Sequence, residues 1–142
     1  MDTRRRARGL IFDSNIVLDL LDEPPGSPLF GAIDAVRAPR VHINEIVFAE
    51  VAARFVSPVL LETSLAALEL SVERLTLLEC HRAGQAFAEY RRRGGTRTAI
   101  LPDFLIGAQA ATRGWPLVTR DRKGFASYFP EITIIDPLED QA

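Results

Sequence analysis

At 142 residues and 47% hydrophobic content, the chain is long enough to bury one real core and too short for several. With 17 lysine and arginine residues against 19 aspartate and glutamate, the formal net charge of −2 excludes bulk attraction to nucleic acid or membrane, so such affinity must rest on local patches. A single cysteine, Cys80, excludes an intrachain disulfide, and the 2 histidines, His42 and His81, leave too few ligands for a structural zinc site.

The chain begins with the basic run Arg4-Arg5-Arg6-Ala7-Arg8, but only Leu10 to Phe12 follow before Asp13, too short for the apolar stretch of a signal peptide. Residues 1–8 therefore read as a solvated basic tail on a single domain spanning 1–142. No apolar run approaches the roughly 20 residues of a membrane-spanning helix, and a reducing cytoplasm is the expected setting. Gly9 to Asp13 reads as a buried strand; Ser14-Asn15 offers capping chemistry for a helix through Leu21, stopped at Pro24-Pro25-Gly26. A short helix over Ser27–Val36, a strand over Arg40–Ile43 and a helix from the cap Asn44 to about Phe55 follow. Beyond the break at Pro58, the pattern predicts a helix over Leu60–Leu70, a strand over Arg74–Leu77 and a helix over Leu78–Arg93, ended by Gly94-Gly95. The last elements are a helix over Pro102–Arg113 closed by Gly114, a strand over Trp115–Thr119 and a strand over Ile132–Ile135. Strands that alternate with helices and are apolar on both faces predict a three-layer α/β/α sandwich around a mainly parallel sheet.

Chemistry in such sheets concentrates at the carboxyl ends of the strands. Asp13 closes the first strand, Asp121 follows the Leu117-Val118-Thr119 strand, and Asp103 opens a helix expected on the same rim. An acid in a first helical turn also suits the helix dipole, so a capping role competes for Asp103. Its neighbours at i+4, i+7 and i+11 are Gly107, Ala110 and Gly114, a stripe small enough for close backbone approach. Glu50 stands among Ile46, Val47, Phe48, Ala49, Val51, Ala52 and Ala53, on a helix expected to be buried nearly all round. The competing reading pairs Glu50 with Arg54 at i,i+4, worth only about 0.2–0.5 kcal/mol on an isolated helix. Asp19, Asp22 and Glu23 share a polar stripe with Asn15 and read as solvated, as does the cluster Asp136, Glu139, Asp140. Several carboxylates brought together repel one another unless a cation offsets their charge. An all-oxygen donor set suits hard Mg²⁺ or Mn²⁺, and one or two such ions would support phosphoester hydrolysis.

Taken in order, Ile11-Phe12-Asp13-Ser14-Asn15, Phe48-Ala49-Glu50, Leu101-Pro102-Asp103-Phe104-Leu105-Ile106 and Leu117-Val118-Thr119-Arg120-Asp121 resemble the motifs of the PIN-domain ribonucleases, more narrowly those of VapC toxins from type II toxin–antitoxin pairs. The likeness spans Gly9 to about Pro137; no single motif is specific, and the ordered set carries it. It implies a PIN-like fold, a Mg²⁺- or Mn²⁺-dependent endoribonuclease, a homodimer, and a cognate VapB antitoxin. Asp13, Glu50, Asp103 and Asp121 match the family's metal-binding acids. Asn15 matches a residue bracing the first aspartate, although it could equally cap its helix, and Thr119 matches a hydroxyl beside the last. The sequence departs at Asn44-Glu45, where small hydroxyl residues are usual, which brings Glu45 into view as an alternative ligand.

RNA contact would fall to two basic clusters, Arg91-Arg92-Arg93 with Arg97, and Arg120, Arg122 and Lys123, which position phosphates without reading sequence. The run Arg91 to Arg93 equally suits a helix C-terminus. Tyr90, Trp115 and Phe125 are candidates for base stacking, with core packing favoured for the last two. Two rival readings remain. A haloacid-dehalogenase-like phosphatase would use Asp13 but would need an acid where Asn15 stands, and a non-catalytic PIN-like module would bind RNA or protein without cleavage.

Overall fold

The computed structural model describes residues 9–24, 26–36 and 40–139, so the basic run over 1–8, Pro25 and Asp140 lie outside the described residues. Among the described residues, β1 (Leu10–Phe12), β2 (Val41–Ile43), β3 (Leu70–Val72), β4 (Leu117–Val118) and β5 (Ile134–Ile135) form one sheet in the order β3-β2-β1-β4-β5. Every pairing is parallel, with Leu10 beside Val41, Ile11 beside Leu117, Val41 beside Leu70 and Leu117 beside Ile134. The central strand is wholly apolar and wholly buried, as expected of a strand covered on both faces. The strands are shorter than the sequence pattern predicts, because the runs around them continue the pairing only through isolated bonds, such as Asp13 N–H to the Val118 carbonyl.

The helices between them are α1 (Ser14–Asp22), α2 (Pro28–Val36), α3 (Glu45–Ala52), α4 (Pro58–Ala67), α5 (Leu77–Arg92), α6 (Pro102–Arg113) and α7 (Arg122–Ala126). Apolar spacing decides which face each buries. In α1 the inward residues are Ile16, Val17 and Leu20, and in α2 they are Leu29, Ala32, Ile33 and Val36. Caps decide where helices start: the Asn44 side chain accepts from the N–H groups of Ile46 and Val47, and the Ser57 hydroxyl from that of Leu60. Gly114 ends α6 in the left-handed region at φ 67°, the conformation glycine adopts without a Cβ penalty.

The third strand departs from expectation. The segment Arg74–Leu77 is not a strand, and the helix read through Leu70 stops at Ala67. Glu69 turns the chain at φ 60°, and Leu70-Ser71-Val72 then pairs with β2. Thr76 instead opens α5 with a reciprocal capping box, its hydroxyl accepting from the Glu79 N–H while the Glu79 carboxylate accepts from its own. Other corrections are smaller. Pro58 is the first residue of α4 rather than a break, and α7 appears where no helix was read.

Helix α6 is buried on two sides. Ile106 and Ala110 join the main core under the sheet, whereas Phe104 and Ala108 pack with Ala83 of α5 and with Phe129 in a second cluster. The small-residue stripe serves a ring rather than a backbone: a Cβ on Gly107 would lie 2.5 Å from the Phe129 ring.

Candidate functional site

The sheet order reverses direction at β1, whose neighbours β2 and β4 leave it on opposite sides. A crevice forms at the carboxyl ends of such a pair of strands, because the connecting chains diverge there. Asp13 follows β1 directly, and Thr119-Arg120-Asp121 follows β4. Asp103 lies in the first turn of α6 and Glu50 in the last turn of α3.

Asp13, rather than Ser14 or Asn15, is the N-cap of α1, its Oδ1 accepting from the Ser14 N–H at 2.8 Å. Its other oxygen accepts from the Thr119 hydroxyl at 2.7 Å and from the Asn15 amide at 3.2 Å. The Thr119 oxygen in turn accepts from the Asn15 amide at 3.2 Å and the Asp121 N–H at 3.0 Å, and Asn15 Oδ1 accepts from the Arg120 N–H. One buried carboxylate, one buried hydroxyl and one amide thus lock the ends of β1 and β4 together. Asp121 caps α7 by accepting from the Gly124 N–H at 3.2 Å. Gly124 has no room for more: a Cβ there would lie 2.7 Å from Asp121 Oδ2.

The acids sense one another. Burial pushes the Asp103 carboxyl up to about 6, and the charges of Asp13, Asp121 and Glu50 add to the rise. Burial also raises Asp13, against the lowering effect of the Thr119 and Ser14 hydrogen bonds, and Asp121 raises it further. Desolvation raises Glu50, a Ser14 hydrogen bond opposes it, and Asp13 adds repulsion. Glu50 stands in a different place from the one its neighbours suggested. Only Val47 and Val51 of α3 are buried, and Ala49 and Glu50 are exposed, so the helix is half-wetted and Glu50 stands on the rim. It is not paired with Arg54, whose guanidinium grips Asp22 from α1. Asp103 does not cap its helix, since the N-cap is Leu101 and no side chain closes that end.

Among the described residues, no three histidine, cysteine, aspartate or glutamate side chains are grouped as a ready-made metal cage. The donor chemistry nevertheless fits a hard divalent cation. The four carboxyl groups are all oxygen donors, repulsion from the other three adds to the burial that raises Asp103, and neither histidine nor the cysteine is among them.

Arg120 holds Asp19, which is therefore paired rather than simply solvated, and Arg122 donates to the Ile134 carbonyl. Lys123 and Arg97 are exposed, and Arg92 and Arg93 bind Glu89 on their own helix. Glu45 accepts from the Leu75 N–H at 2.8 Å, a tether between α3 and the chain entering α5. Phe125 is fully buried, and Trp115 stacks on His42 with ring centroids 4.2 Å apart. Sequence reasoning overlooked Ser14 as a neighbour of Glu50 and Gly124 as a partner of Asp121. The Asp121-x-x-Gly124 spacing, an acid three residues before a glycine, was the available signal for the second.

The sequence matches the PIN domain model over residues 10–128. Among proteins of curated function none is similar enough in sequence to count as a relative. Solved structures share the fold. A toxin–antitoxin complex from Klebsiella pneumoniae aligns at 25% identity and TM-score 0.66, covering 90% of this chain and 97% of that one. VapBC2 from Rickettsia felis, bound to a promoter DNA fragment, aligns at 18% identity and TM-score 0.69, covering 89% and 97%. VapBC-1 from nontypeable Haemophilus influenzae aligns at 17% identity and TM-score 0.70, covering 92% and 98%.

Proposed function

The chain belongs to the PIN-domain family, and from that premise we propose that it is a divalent-metal-dependent endoribonuclease acting as the VapC-like toxin of a toxin–antitoxin pair. One observation carries the reading: the Asp103 carboxyl, raised first by burial, is raised further by the charges of Asp13, Asp121 and Glu50, although the four lie far apart in sequence. Acids that repel across a crevice at a strand switch point are suited to a cation and a phosphate.

Asp13, Glu50, Asp103 and Asp121 are the residues that would hold Mg²⁺ or Mn²⁺. Such an ion would supply Lewis-acid activation of water and would offset the charge developing on a phosphodiester's leaving oxygen. The chain's own residues prepare the site. Asn15 and Thr119 fix the orientation of Asp13, and the Thr119 hydroxyl spends its proton on Asp13 Oδ2, leaving its oxygen to accept from Asn15 and Asp121. Arg97, Arg122 and Lys123 supply sequence-independent attraction for the RNA backbone, while Arg120 shares its charge with Asp19. At Asn15 an amide, not an acid, faces Asp13, which removes the second carboxylate a haloacid-dehalogenase-like phosphatase would use.

A homodimer and an antitoxin are the proposed partners. Val56 is 94%, Leu77 88% and Leu78 68% exposed, which leaves apolar side chains available for such contacts. The test is cleavage of single-stranded and structured RNA by pure protein with Mg²⁺, with EDTA, and with Asp103→Asn. Cleavage that requires Mg²⁺ and disappears in the variant supports the nuclease. Cleavage that survives EDTA or the substitution overturns it, hydrolysis of small phosphomonoesters favours the phosphatase, and RNA binding without cleavage leaves a binding module.

A further inference from the structure

Beside the acids lies a cavity of different character. Tyr90 from α5, Phe104 from α6 and Tyr128 after α7 wall a space of about 180 Å³, with Asp103 and Gly124 on its lining. The rings meet edge to face: centroids are 5.7 Å apart for Tyr90 and Phe104 and 5.4 Å for Phe104 and Tyr128, with planes inclined at 65° in both pairs. Phe104 is buried beneath this packing, whereas Tyr90 and Tyr128 are only half-buried, so part of each ring borders the cavity. Behind them, Phe87 stacks on Tyr90, and the Arg93 guanidinium covers Tyr128 at 4.9 Å from the ring centroid. The wall is braced from the loop as well. The Arg97 N–H donates to the Tyr90 hydroxyl, and the Arg91 guanidinium donates to the carbonyls of Gly95 and Arg97.

A cavity of roughly 150 Å³ accommodates one benzene ring, so this space suits a single flat ring system. Its two flanks differ in charge. Asp103 joins it to the acidic site, while two exposed cationic residues adjoin its wall, Lys123 next to the lining Gly124 and Arg97 bonded through its N–H to the lining Tyr90. An apolar side chain of a protein partner would leave that cationic border without counter-charge, whereas a nucleic-acid strand brings both a flat base and phosphates. We propose that this cavity takes one unstacked base of the RNA strand, next to the phosphate held at the acids, and thereby biases where the strand is cut. The inference rests on the nuclease reading for its substrate; the stacking surface itself does not.

The test has two arms. In the first, cleavage sites are mapped on an RNA pool with a randomised stretch, using wild type, Tyr128→Leu and Tyr128→Phe, each checked by thermal melting. Wild type favours particular bases at one position flanking the cut. Tyr128→Leu loses that preference and raises KM by roughly 5- to 150-fold, the span of one base–aromatic stack, with kcat little changed, and Tyr128→Phe restores both. An unchanged pattern and KM in a folded Tyr128→Leu overturns the proposal and leaves the nuclease standing. In the second arm, the four nucleosides are titrated in EDTA while the ring signals of Tyr90 and Tyr128 are followed by NMR, which needs no catalysis. At least one nucleoside shifts the wild-type signals and fails to bind Tyr128→Leu. If wild type cuts no RNA, the nuclease reading falls alone and this arm decides the cavity. Silence from all four near their solubility limits, or a response only to N-acetyltryptophanamide, overturns the proposal, the latter giving the cavity to a partner's aromatic side chain.

Discussion

Asp103 is the residue on which the charge balance of the site turns. Its carboxyl titrates near 3.8 in an unfolded chain and near 6 in the folded one, so the folded state holds the proton more tightly and loses stability as pH rises through that interval. Above about 6 the loss is complete. Asp103→Asn therefore stabilises metal-free protein by about 1–2 kcal/mol at pH 7.5, after discounting for solvent screening, and by nothing at pH 4, as urea melts at the two pH values would show. A variant less stable than wild type at pH 7.5 would make Asp103 a structural residue. Thr119 allows a second check. Thr119→Val removes the buried donor to Asp13 while keeping the shape, costing about 1–3 kcal/mol of stability and lowering RNA cleavage, and Thr119→Ser recovers most of both. At this scale the sequence was informative about where Asp13 and Asp121 stand, each just past an apolar strand, and silent on their capping of the helices that follow. It was misleading about the surroundings of Glu50, since alanines such as Ala49 and Ala53 count as apolar in a pattern and still lie in water.

Among the elements, α5 shows how local chemistry overrides apolar periodicity. Its start is fixed by the Thr76 and Glu79 capping box, and the Glu79 carboxylate, 1% exposed, is then gripped by Arg113 from α6. Burial raises Glu79, but the Arg113 and Thr76 hydrogen bonds outweigh it and hold the carboxyl below its ordinary value. Thr76→Ala should cost about 1 kcal/mol. Arg113→Met should cost about 3 kcal/mol or more, because it leaves a buried carboxylate without its partner. Equal, small losses in chemical denaturation would mean that the pair is solvated. The Thr76-x-x-Glu79 signature was present in the sequence, yet the segment reads as a strand because Leu75 and Leu77 alternate with polar residues. The true strand β3 was hidden for the opposite reason: Leu61, Leu65 and Leu68 keep helical spacing up to its edge, and the turn between them uses Glu69 where a glycine would have announced it.

For the whole molecule, the alternation of apolar strands and amphipathic helices was enough to predict a parallel sheet between helices, because few other arrangements bury such strands on both faces. Strand order was not legible, and it is the order that places β1 and β4 at the switch point and thus brings Asp13 and Asp121 together. The assembled charge has a global consequence. Mn²⁺ at 100 times its Kd should stabilise the protein by about 2.7 kcal/mol, and the gain should shrink below about pH 6, where protons compete at Asp103. Melting curves at pH 5 and pH 8 would show it, and a gain independent of pH would place the ion elsewhere. The most direct measurement is anomalous diffraction from crystals soaked in Mn²⁺. The account predicts a peak bounded by Asp13, Asp103 and Asp121 with Glu50 on its outer side. A peak elsewhere on the molecule, or none at millimolar Mn²⁺ with the site open to solvent, would contradict it.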